Sequence, residues 1–91
     1  MPGSPAVRVD VTSHFQRAFD RLPPDLQRET TERVKRFASN PFDRRLRTHK
    51  LKGKLSACWS FSVTDAYRVL VTFPQRGVAL LHDVGTHDVY R

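Results

Sequence analysis

The sequence has one cysteine, Cys58, so no internal disulfide can form and the fold must rest on packing and hydrogen bonds. Only four glycines occur, none gathered into the Gly-rich loop that cradles a phosphate, and the histidines and cysteine lack zinc-type spacing. These absences argue against a metal or nucleotide cofactor. No apolar run approaches the length that crosses a bilayer. The opening Met1-Pro2-Gly3-Ser4-Pro5 lacks the basic and apolar segments of a signal peptide, so the expectation is a cytoplasmic protein that does not engage a membrane. Acids are scarce too: 9 against 16 lysines and arginines, a formal charge of +7. A chain this basic meets a polyanion or an acidic protein, and nucleic acid is the first suspect. The 91 residues suffice for one modest core. A single domain over 1–91 is expected, with residues 1–5 disordered.

What is present reads as an α+β domain. Val7, Val9 and Val11 alternate with Arg8 and Asp10, the period-two pattern of a half-buried strand. Ser13 and Gln16 have capping-box spacing, and Phe15, Ala18, Phe19 and Leu22 then share one helical face that ends before Pro23. Pro23 and Pro24 suit the entry to a second helix, extended by Leu26, Thr30, Val34, Phe37 and Ala38 and stopped at Asn40-Pro41. Asp25, Glu29 and Glu32 sit early in that helix and Lys35 and Arg36 late, as its dipole favours. The expectation is an antiparallel helical hairpin.

From Phe42 the chain turns basic. Arg44, Arg45, Arg47, His49, Lys50, Lys52 and Lys54 are offset only by Asp43, and their clustering suggests a footprint more than a merely solvated loop. Then Trp59, Phe61 and Val63 alternate with serines, and Tyr67, Val69, Val71 and Phe73 alternate with Arg68, Leu70 and Thr72. Antiparallel pairing across a loop at Asp65 sets Val63 against Tyr67 and Ser62 against Arg68. Arg68 then lies on the open face. After a turn at Pro74-Gln75-Arg76-Gly77, with Phe73 opposite Val78 or Leu80, continuous alternation sends Val78, Leu80, His82 and Val84 to the core. It leaves Asp83, Gly85 and His87 beside Arg68, roughly 7 to 14 Å apart by strand rise. A bulge near Gly85 would flip that assignment.

These residues form a parts list for metal-free RNA cleavage by the substrate's own 2′-hydroxyl. His87 can donate a proton to the departing 5′-oxygen, His49 can act as base or orient the sugar, and Arg68 with Lys52 and Lys54 can stabilise the phosphorane. A plainer account of Arg68 is a cross-strand ion pair with Asp83. His82 reads as a hydrogen-bonded structural residue, His14 as a solvated one, Cys58 as a small apolar filler and Trp59 as core.

The segments His49-Lys50-Leu51-Lys52-Gly53-Lys54-Leu55, Trp59-Ser60-Phe61-Ser62-Val63, Tyr67-Arg68-Val69-Leu70 and Gly85-Thr86-His87-Asp88 resemble the RelE/ParE toxin superfamily over residues 6–91. The nearest likeness is to YafQ-like and RelE/StbE-type mRNA interferases. The resemblance implies helices on one face of a four-stranded sheet, with an N-terminal strand and a C-terminal three-strand meander. It further implies a toxin of a type II toxin-antitoxin system that enters the ribosomal A site, cuts mRNA and is held in check by an antitoxin. Position by position, His87, Arg68 and His49 match catalytic residues, and Lys50, Lys52, Lys54 and Tyr90 match substrate-binding ones. Tyr90 comes one residue earlier than in relatives, and Ser62 and Ala66 stand where YafQ-like members carry His and Asp. The second reading is the ParE-like branch, which inhibits DNA gyrase without chemistry; a histidine after the last strand weighs against it. With its open cationic face, the chain is expected to bind an acidic, partly disordered antitoxin segment.

Overall fold

The computed structural model describes residues 6–90, and the expectation of disorder over residues 1–5 lies outside them. Valine alternation yields strand β1 (Arg8–Val11). Helix α1 (Ser13–Asp20) follows at once. Its N-cap is Thr12, not Ser13: the Thr12 hydroxyl accepts from Phe15 N at 3.0 Å and donates to the His82 carbonyl at 3.3 Å. One side chain thus serves an orphan helix N–H and ties the helix start to the sheet, which a Ser one residue later cannot do. Helix α2 (Pro24–Ser39) begins with Pro at its first position and ends at Asn40. Gln27 reaches back to the carbonyls of Phe19 and Asp20 in the last turn of α1.

The meander comprises β3 (Trp59–Ser62), β4 (Arg68–Gln75) and β5 (Val78–Gly85). One strand more than expected completes the sheet: β2 (His49–Lys50), two residues inside the basic segment, pairs with β3. So short a strand carries no alternation signal. The order is β1-β5-β4-β3-β2, with β1 parallel to β5 and the other pairs antiparallel. Ser62 opposes Arg68 as the pattern required.

The β4–β5 register departs from continuous alternation. Leu70 faces Asp83 and Val71 faces Leu81, so His82 is an extra residue on β5. Leu81 and Ala79 are therefore core residues at 0% exposure, whereas His82 and Leu80 move to the other face. The Thr72 hydroxyl, directed away from the core, meets His82 Nε2 at 2.7 Å. A second irregularity sets Thr72 against Leu80 and Gln75 against Val78, at Pro74, which has no N–H for the ladder. On the core face Phe15 and Ala18 of α1 and Phe37 of α2 pack on Phe61, Val69, Val71 and Val84. The Phe37 and Phe61 rings stack at 4.4 Å between centroids.

Candidate functional site

The sheet face turned away from α1 and α2 is polar and ordered in rows. Directly opposed residues of neighbouring strands share a side. One row reads His49, Ser60, Leu70, Asp83 and the next Ser62, Arg68, Gly85. Arg68 and His49 thus lie on one face, two residues apart along β3.

His49 is exposed, and its Nδ1 lies 2.9 Å from the Arg47 carbonyl. A carbonyl only accepts, so Nδ1 carries the proton and the neutral ring keeps its Nε2 lone pair free, the form a general base needs. The geometry depends on Arg47, which adopts a left-handed conformation with φ 55° at the end of the 3₁₀ turn Arg44–Leu46. That bend swings the chain into β2.

Arg68 does not form the ion pair with Asp83 that its position suggested. The bulge moves Asp83 one row along, opposite Leu70, and its carboxylate pairs with His14 at 3.3 Å. His14 is exposed, as expected of a solvated residue, and also meets Asp83. Arg68 instead donates to Ser62 Oγ at 2.7 Å and to the Asp65 carbonyl at 3.3 Å. Both acceptors are neutral, so the guanidinium keeps its full charge toward the open face.

His87 arrives by a route other than alternation. The strand ends at Gly85 and a 3₁₀ turn spans His87–Tyr90. Val89 is buried at 5% exposure and lies where a side chain at 85 would sit: a Cβ there would be 3.2 Å from Val89 Cγ1. With the turn so anchored, Tyr90 reaches across and its hydroxyl meets Ser60 Oγ at 2.8 Å. The exposed His87 ring stands edge to face with Tyr90, centroids 5.9 Å apart. Contacts run from His87 through Tyr90 to Ser60, with His49 opposite Ser60 in the register and the bonded pair Ser62 and Arg68 in the next row.

Of the lysines, Lys50 is directly opposite Trp59 and so falls on the helix side of the sheet, away from His49. Lys52 and Lys54 are exposed on the connection to β3, Lys54 within the 3₁₀ turn Gly53–Leu55. Ser60 and Ser62 went unassigned at the sequence level, although both are buried, at 0% and 9% exposure. Their signal was the polar half of the Trp-Ser-Phe-Ser alternation, which marks a face but not its occupancy. His82, behind this cluster, is held below the ordinary histidine pKa by burial.

No protein-family model and no curated protein sequence matches the chain. Solved structures do. A YoeB/ParE toxin from Agrobacterium tumefaciens superimposes with a TM-score of 0.74 at 14% identity, covering 89% of this chain and 99% of the other. The archaeal RelE-RelB complex from Pyrococcus horikoshii matches with 0.71 at 20% identity over 89% and 94%. RelBE2 of Mycobacterium tuberculosis, a toxin-antitoxin complex, gives 0.67 at 21% identity over 91% and 93%. At these identities the likeness is one of fold: the chain folds as these toxins do.

Proposed function

We propose that this chain is the toxin of a toxin-antitoxin pair and cleaves mRNA on the ribosome without a metal ion. The observation that carries the reading is one open sheet face bearing a histidine with a free Nε2, an arginine held only by neutral acceptors, and a second histidine on an anchored turn. His49 Nε2 accepts the proton of the 2′-hydroxyl as its oxygen attacks phosphorus. Arg68 neutralises the added charge on the phosphorane. The bond from phosphorus to the 5′-oxygen breaks as the His87 ring donates a proton to that oxygen, leaving a 2′,3′-cyclic phosphate and a 5′-hydroxyl. Tyr90, fixed through Ser60, borders the substrate base, and Lys52 and Lys54 attract the strand. The toxin fold and the +7 charge support an acidic antitoxin that covers this face.

The experiment is mapping of new RNA ends on a defined message with purified protein, with and without programmed ribosomes. Cuts only with ribosomes, ending in cyclic phosphate, are expected, with His49→Gln and His87→Gln each slowing cleavage roughly 100- to 10,000-fold. Equal cleavage by wild type and His87→Gln removes His87 from the mechanism. Intact mRNA together with blocked DNA supercoiling by gyrase would instead establish the non-enzymatic branch.

A further inference from the structure

The largest exposed aromatic lies on the other side of the sheet. Phe42 is 52% exposed, yet it is rigidly built. Asn40 Oδ1 accepts from Phe42 N at 3.0 Å. Behind the ring, Trp59 meets it edge-on at 5.4 Å and Phe73 stacks at 6.2 Å. Buried Leu46, at 0% exposure, pins the following turn into the core. One face of Phe42 is thus held by the core while the other is offered to solvent.

The surroundings are cationic. Arg44 and Arg47 are exposed and line a shallow basin with Asn40 and Phe42, and Lys50 lies on the same side through its pairing with Trp59. The one carboxylate in the basin, Asp43, is consumed locally: Arg45 grips it with two bonds of 3.1 and 2.8 Å and holds its pKa far below the usual carboxylate range. Neither Arg44 nor Arg47 has an ion pair among the described residues.

We propose that this basin is a second binding site, for single-stranded nucleic acid, with one base stacked on Phe42 and flanking phosphates on Arg44 and Arg47. A preformed aromatic platform ringed by unpaired guanidinium groups suits the alternation of π-face and phosphate in an unpaired strand. The basin lies across the sheet from Arg68 and meets the other cluster through the Arg47 carbonyl that holds His49, and its occupancy does not depend on cleavage.

Trp59, the sole tryptophan, reports on it directly. Titration with short oligothymidylate, which has no 2′-hydroxyl to cleave, is expected to quench Trp59 fluorescence saturably. Phe42→Leu keeps apolar packing but removes the π-face and should weaken binding roughly 5- to 100-fold, with Phe42→Tyr restoring it. Arg44→Gln and Arg47→Gln should each lower the slope of log affinity against log salt by about 0.7. His49→Gln and His87→Gln should quench like wild type even if cleavage is never found. Absence of quenching, quenching that ignores Phe42→Leu and both arginine changes, or equal quenching by duplex DNA or polyglutamate would each overturn the site.

Discussion

At the scale of residues, the candidate site turns on neutral acceptors. Ser62 fixes the Arg68 guanidinium at 2.7 Å without cancelling its charge, so it acts as a positioning residue. On the proposed reading as a ribonuclease, Ser62→Ala is expected to lower the cleavage rate about tenfold with KM little changed, since a small misplacement of a charged group is costly in the transition state. In an Arg68→Ala background the same change should add almost nothing. Full additivity in that double-mutant cycle would assign Ser62 to the fold alone. Residue types alone made His49, Arg68 and His87 visible as candidates. The tautomer of His49 was not visible, because it is set by the carbonyl of Arg47, which depends on a left-handed backbone turn.

At the scale of elements, the β5 bulge is the device that separates the expected from the observed face. It makes His82 an extra residue, bonded to Thr72 and partly buried. Burial favours the neutral ring, so its folded pKa lies below its unfolded one. The unfolded chain then binds the proton first as pH falls. This contribution to stability is present above the unfolded value, about 6.5, and is lost as pH falls through the folded value. Urea unfolding at about pH 7.5 and about pH 5.5 should show a larger loss for wild type than for His82→Asn, which cannot titrate. Identical losses would show that the ring binds its proton alike in the folded and unfolded chain. Alternation revealed three of the strands here, but a period of two cannot announce where an extra residue interrupts it. Nor could it reveal β2, whose two residues pair only because Ser60 and Trp59 are already placed.

At the scale of the whole molecule, stability rests on one small core. Folding free energies run roughly 0.05 to 0.15 kcal/mol per residue, about 5 to 14 kcal/mol for a chain of this size. Phe37, at 0% exposure and stacked on both Phe61 and Phe73, joins α2 to the sheet. Phe37→Ala should cost about 3 to 5 kcal/mol, a large share of the total, read as a lowered denaturation midpoint with an unchanged slope. A loss below about 1 kcal/mol would mean that the helix is held to the sheet mainly by other contacts.

The sequence by itself determined the class of fold, the order of both helices and of strands β1, β3, β4 and β5, the pairing of Ser62 with Arg68, and the cationic character. Each follows from local periodicity, proline placement or composition, which act over a few residues. Only the tertiary structure decided that Asp83 pairs with His14 rather than Arg68, that Tyr90 meets Ser60, and that Lys50 and His49 part to opposite faces. Those outcomes depend on register and on how the chain end folds back. A single extra residue on β5 changes which side chains meet without leaving any mark in the local pattern.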